Sequence, residues 1–166
     1  MFIGLRKRVL ALVPTVRNFL PMIMRCLSST DLQDDEAVTA CAIKTGFSLA
    51  PKNPNDIGTS LKLATYLCAL KEVSGGKFEI KTITKDRIEL IGRKCPFGDR
   101  VCGHPELCMV SGRVMKALIN SEYRWATLTL NKSIAKGDSE CLISINLNAC
   151  HLQIVRPRED CQRPDE

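Results

Sequence analysis

Three cysteines and a histidine lie within fourteen residues of this chain, a density that suits soft-metal chemistry. Six residues separate Cys95 from Cys102, five separate Cys102 from Cys108, and His104 stands between the last two. A further cysteine, Cys141, follows a Gly-Asp turn. Thiolates and imidazoles are the ligands that zinc and iron–sulfur clusters prefer, and the prolines and glycines of this segment favour a loop. The pattern predicts a metal site formed by Cys95, Cys102, Cys108 and Cys141, with His104 as the alternative fourth ligand.

The spacing decides between metals only in part. The chain contains no Cys-x-x-Cys pair, so neither ferredoxin nor zinc-ribbon spacing applies, and zinc is favoured over an iron–sulfur cluster. Two alternatives stay open, namely buried thiols that only fill space and reactive or redox thiols. In the second, Cys108 near a helix N-terminus acts as a nucleophile with His104 beside it. We expect a protein that is not an enzyme, with a thiol enzyme that uses Cys108 as the alternative.

Composition bounds the class of protein. At 166 residues, with 45% hydrophobic and 25% charged residues, the chain is long enough for one domain with its own core. The net charge is +6, but the sequence shows no recognisable nucleic-acid-binding motif and no aromatic stacking surface, so nucleic-acid binding is not expected. No secretory signal is recognisable, which predicts a cytoplasmic protein with free or metal-bound thiols.

The elements that must position the cysteines follow from periodicity. Three helical patterns come first, then a hairpin, a fourth helix and a second hairpin. We expect helices over 5–27, 31–49, 55–73 and 105–121, and strands over 77–84, 87–91, 125–131 and 141–147. Asn55 or Asp56 is the expected cap of the third helix. Segregated helices and antiparallel hairpins predict an α+β fold with N-terminal helices on a four-stranded antiparallel sheet.

Three regions follow from this reading. We expect residues 1–30 to form a helical extension that is a candidate dimerisation segment, 31–150 to form the main α+β domain, and 151–166 to form a charged, disordered tail. The basic segment 5–27 is too short and too interrupted to span a membrane. It is interpreted as a helix packed on the domain or on a second copy, with a membrane-surface helix as the less favoured alternative.

Several short motifs resemble the methanogen output domain family. They are Cys95-Pro-Phe-Gly-Asp, Leu107-Cys-Met and Ser133-Ile-Ala-Lys-Gly-Asp-Ser-Glu-Cys141, within a similarity that spans about residues 35–147. More distantly, the chain is similar to the vinyl-reductase-type, hydrocarbon-binding sensor domains. The resemblance implies the haem nitric-oxide-binding and Golgi-transport fold, and it matches three of the cysteines, Cys95, Cys108 and Cys141.

The resemblance also implies a role. Related sensor domains bind small hydrophobic ligands and hold a structural zinc beside the ligand pocket. It implies here a cytoplasmic sensory or regulatory domain that binds such a ligand or senses redox state, is homodimeric, and acts on a signalling partner in trans. A zinc-stapled interaction module is the alternative. Residues 130–133 read Leu-Asn-Lys-Ser and lack the acidic and thiol ligands of related zinc sites, so the ligand set must differ.

Overall fold

A computed structural model describes residues 19–29, 35–51 and 58–148. In chain order the helices and strands are α1 (Phe19–Ser29), α2 (Asp35–Leu49), α3 (Ser60–Val73), β1 (Lys77–Ile83), β2 (Arg87–Lys94), α4 (Pro105–Asn120), β3 (Thr127–Lys132) and β4 (Cys141–Asn146). Short 3-10 turns precede α4 and β4. The expectations for residues 1–18 and 151–166 lie outside the described residues.

The four strands form one antiparallel sheet in the order β1-β2-β4-β3. Each predicted hairpin supplies two neighbouring strands, and β2 and β4 join the hairpins through a ladder in which Leu90 faces Ile143 and Gly92 faces Cys141. The predicted α+β fold is therefore confirmed. The β2–β4 ladder is the contact that brings the two ends of the cysteine-rich segment together.

Period-two burial fixes which face of the sheet the helices cover. Ile88 and Leu90 on β2, and Ile143 and Ile145 on β4, are buried on one face, as a half-covered antiparallel sheet requires. Helix α3 packs on β1 and β2, while α4 contacts β3. Helix α2 lies along α4, and α1 contacts both. Among the described helices, none is long and apolar enough to cross a membrane.

Two element ends differ from the sequence prediction. Helix α3 begins at Ser60, and its cap is Thr59, whose side chain accepts a hydrogen bond from the Lys62 N–H at 3.3 Å. The prediction of Asn55 or Asp56 as the cap is therefore wrong, because Thr59 offers an equivalent oxygen closer to the apolar stripe. Strand β2 continues to Lys94, beyond the alternating segment, since β1 pairs with it as far as Lys94.

Gly46 lets α2 approach α4 closely, and alanine there should destabilise the protein. An added Cβ would lie 2.5 Å from the Ala117 Cβ and 2.5 Å from the Val114 carbonyl oxygen. Backbone cannot rotate aside, so the two helices must separate and lose packing. We expect Gly46→Ala to lower the free energy of unfolding by about 1–3 kcal/mol, measured by urea denaturation. A neutral result would show that this helix pair is loosely packed.

Candidate functional site

Three thiols from three separate element ends line one small cavity. Cys95 directly follows β2, Cys108 lies in the first turns of α4, and Cys141 opens β4. Together with Lys71 of α3 they line a cavity of about 50 Å³. The convergence expected of Cys95, Cys108 and Cys141 is therefore present in the fold. A site that combines three soft donors with one cation is suited to metal or thiol chemistry.

The Phe78 ring, which lines this cavity, packs over a glycine in β2. Gly92 pairs across the sheet with both Cys141 and Phe78, and the Phe78 ring lies where a Cβ of Gly92 would be, at 2.4 Å. The Lys71 ammonium stands over the same ring, 5.6 Å from its centroid. Such a cation–π contact favours the charged form of the lysine. The ring thus supports Lys71 from the side of the sheet.

Lys71 is a buried cation at the centre of the cluster. Its side chain is 4% exposed, and its ammonium donates a hydrogen bond of 2.8 Å to the Ser111 Oγ on α4. Burial lowers the pKa of Lys71 from 10.5 to about 8, while the charges of the three thiolates oppose that shift. At neutral pH the lysine therefore remains a cation whose charge is complementary to thiolates.

The two buried thiols respond to the same environment. Burial raises the pKa of Cys95, although a hydrogen bond from the Phe97 N–H and the charge of Lys71 act in the opposite direction. Burial likewise raises the pKa of Cys141, against the Ile134 N–H at 3.5 Å and again Lys71. These thiols are protonated at neutral pH, so any metal ion must displace their protons.

The third thiol is tied to the loop before β4. The Cys108 Sγ lies 3.4 Å from the Ser133 Oγ, and the Ser133 N–H donates to the Asp138 carboxylate at 2.7 Å. Gly137, at a φ of 94°, closes the intervening turn. The hydrogen bonds connect α4 to the second hairpin at the position of the thiol. A change at Cys108 is therefore felt by both elements.

Cys102 and His104 do not line this cavity. Cys102 is exposed after the 3-10 turn, and the His104 Nδ1 lies 2.7 Å from the Glu106 carboxylate at the surface. As the side chains stand, no three His, Cys, Asp or Glu residues in ranges 19–29, 35–51 and 58–148 are arranged to hold a metal ion. The structure brings together three of the five proposed ligands and leaves the fourth ligand unassigned.

The other described cysteines have different states. Cys68 is a half-buried free thiol on α3, and burial raises its pKa to about 12. Cys41 on α2 is disulfide-bonded. A reducing compartment disfavours disulfides, so this bond does not support the predicted cytoplasmic location, which stays a prediction.

Sequence reasoning did not identify Lys71 and Ser111 as part of the site. The signal was available, because Lys71 follows Leu67 by one helical turn and directly follows Leu70, both fully buried. A lysine on the apolar stripe of a helix is unusual unless a partner or ligand accepts its charge. Ser111 shows no such pattern and is recognised only from the packing of α4 on α3.

Comparison with known proteins agrees with these motifs. The family model described as Methanogen output domain 1 matches residues 42–146, more than half of the chain, and this range contains all three cavity cysteines and Lys71. No curated protein and no solved structure matches the chain significantly. The chain belongs to the methanogen output domain 1 family.

Proposed function

We propose that this chain is a regulatory signalling domain whose thiol cluster binds a zinc ion and whose helices pass that state to a partner protein in trans. Its family is one of output domains, which indicates a signalling-associated role and implies a partner. One observation supports the zinc proposal above all others. Thiols from the ends of β2, α4 and β4 share one cavity with a buried ammonium.

The donor set fits zinc by its chemistry. Three thiolates are soft ligands that zinc prefers, and a cavity of about 50 Å³ admits an ion together with a water molecule. Because the three side chains are not arranged to hold an ion as they stand, Cys95, Cys108 and Cys141 must move closer together to bind. Bound zinc would cross-link α4 to the paired strands β2 and β4.

Lys71 contributes charge compensation. Three thiolates around a divalent cation carry a net charge of −1, which is costly to bury. The Lys71 ammonium, held against Ser111 and over Phe78, makes the whole site neutral. By attracting thiolates, the same ammonium also assists the loss of thiol protons that binding requires.

The fourth coordination position is filled in one of two ways. Since none of the residues that line the cavity adds a fourth thiol, imidazole or carboxylate, the position falls to water or to a small exogenous ligand. Otherwise Cys102 or His104 moves in from the surface, as the sequence predicted. Cys102→Ser and His104→Ala, each made alone, separate the two, because only in the second arrangement does one of these variants lose affinity for zinc.

The helices provide a route for the signal. Cys108 is near the start of α4, and α4 packs against α2 through the close approach at Gly46. Closing the thiols around an ion would shift the start of α4, and tight packing would carry that shift to α2. A partner that prefers one of the two arrangements would then read the metal state as a change in populations.

Metal analysis of the purified protein tests the proposal. We expect about one zinc per chain and no acid-labile sulfide, with the same content in Cys68→Ala, which removes a thiol outside the cavity. Detection of iron together with acid-labile sulfide would show that the site holds an iron–sulfur cluster instead of zinc. Absence of metal after zinc is supplied under reducing conditions, with rapid alkylation of Cys108, would contradict the proposal and favour thiol chemistry.

A further inference from the structure

An open groove lies beside the thiol cluster, between α4 and the edge strand β3. Its volume is about 560 Å³, within the range of small-molecule sites. The floor is apolar, formed by Met109 and Gly112 of α4 and by Leu128 and Leu130 of β3. Both leucines are half-exposed because β3 is the edge strand and α4 covers it incompletely. Cys108 lines both this groove and the thiol cavity.

Gly112 is the residue in the groove that packing does not explain. It lies inside α4, where glycine is less stable than alanine. A Cβ added at Gly112 would meet nothing within 4 Å, whereas one added at Gly46 would meet α4 backbone. The fold itself therefore has no need of a glycine at 112. Space above the helix backbone at this point is space that a ligand can occupy.

The charges around the groove favour an anion. Three cations line it, namely Arg113, Lys116 and Lys136, and Arg113 also donates a hydrogen bond of 2.9 Å to the Thr39 Oγ1 on α2. Arg113 and Lys116 are about one turn apart on α4, and Lys136 stands on the turn before β4. The single acidic lining residue among those described, Glu106, already lies 2.7 Å from the His104 Nδ1. An apolar floor with a basic rim is complementary to a molecule with an apolar chain and a negative head.

We propose that this groove binds a single-chain anionic amphiphile, of the fatty-carboxylate class. The chain lies across Gly112 between Met109 and the two leucines of β3, and the carboxylate is held by Lys116 at the rim. Cys108 to Lys116 spans about 12 Å of helix, which accommodates a chain of the length of decanoate. Because Cys108 belongs to both sites, an occupied groove restricts the thiol and couples the ligand to the cluster.

Calorimetry with decanoate and decanol, both below their aggregation limits, tests this proposal. We expect decanoate to bind about tenfold more tightly than decanol, and added salt to reduce that difference. Lys116→Glu should weaken decanoate by a factor of about five to ten and leave decanol nearly unchanged. Lys85→Glu is the matched control, since Lys85 makes the same charge change in the distant β1–β2 turn.

Gly112→Leu tests the position of the chain. The added Cβ meets nothing within 4 Å and the rest of the side chain extends into the open groove, so the variant should fold with an unchanged or higher melting temperature and yet lose both ligands. Equal binding of decanoate and decanol, or full binding by Gly112→Leu, would overturn the proposal. The assay uses metal-free protein, so its outcome is independent of zinc stoichiometry, and either proposal can fail alone.

Discussion

Lys71→Met should stabilise the metal-free protein by about 1–2 kcal/mol at pH 7. In the wild type, burial lowers the pKa of Lys71 from 10.5 to about 8, a shift that corresponds to roughly 3 kcal/mol against the folded state. Methionine has a similar length and removes that cost. The gain is reduced by the lost hydrogen bond to Ser111, which contributes about 1–2 kcal/mol.

The pH dependence shows whether Lys71 is the cause. Below pH 8 the lysine is protonated in both the folded and the unfolded chain, so the full cost is present. Between pH 8 and 10.5 the unfolded chain binds more protons, and the contribution of Lys71 to stability rises with pH. Burial raises the pKa of Cys68 to about 12, which lowers stability above pH 9 in both proteins. Urea denaturation from pH 7 to 10 should therefore show the advantage of Lys71→Met disappearing, and parallel profiles would contradict this account.

The same substitution should weaken zinc binding by at least tenfold. Without the ammonium, three thiolates and a divalent ion leave a buried negative charge, and loss of supporting groups around metal ligands typically costs about 10–100-fold in affinity. Ser111→Ala is the matched control, because it removes the hydrogen-bond partner of Lys71 but keeps its charge. A competition titration with a chromophoric chelator measures both. Unchanged affinity in Lys71→Met would refute charge compensation.

Opposite effects on stability and on metal binding would explain why a lysine occupies a core position. A residue that lowers the stability of the metal-free fold is retained when the bound state needs it. In this domain the lysine lies on the helix that packs against β1 and β2, while the thiols come from the elements that follow. Lys71 therefore connects the first hairpin to the thiol cluster.

Local pattern was sufficient for most of the fold. Alternation marked both hairpins, and Pro105 marked the start of α4, which runs from Pro105 to Asn120. These signals depend only on residues close in sequence, so they can be recognised without knowing the tertiary structure. The cap of α3 was misplaced because several residues before Ser60 have capping side chains, and only the packed helix selects Thr59.

Only some residues of the site could be predicted from the sequence, for a different reason. Its cysteines were visible as a cluster in the sequence, but Lys71 precedes Cys95 by 24 residues and Ser111 by 40. Their meeting depends on how α3 and α4 dock on the sheet and on the β2–β4 register. Cys102, in contrast, lies between Cys95 and Cys108 in the sequence but is exposed in the fold. Sequence proximity thus predicted one ligand that the fold does not place in the cavity.

Cys141→Ser should abolish stoichiometric zinc binding. The residue opens β4 opposite Gly92, and its sulfur is held toward the Ile134 N–H beside the other two thiols. Serine accepts the same hydrogen bond but does not ionise to a soft ligand at neutral pH, so two thiolates remain and the site cannot close. Elemental analysis of the purified variant should give less than about a tenth of the wild-type zinc. Cys102→Ser makes the same chemical change at an exposed position and should retain zinc if water fills the fourth site.

The metal-free state of Cys141→Ser also separates a signal from a staple. If zinc only holds the fold together, the variant and the chelated wild type should be unfolded, since the binding free energy of a structural zinc is folding free energy. The core residues Leu67, Leu90 and Leu118 are fully buried and do not line the thiol cavity, so we expect both proteins to remain folded. Amide hydrogen exchange in these metal-free proteins should then differ from that of the zinc-loaded wild type in α4 and α2, and should be the same in β1. Loss of exchange protection throughout the protein would identify a purely structural zinc. Equal exchange in α4 with and without zinc would mean that the thiol cluster does not control the helices.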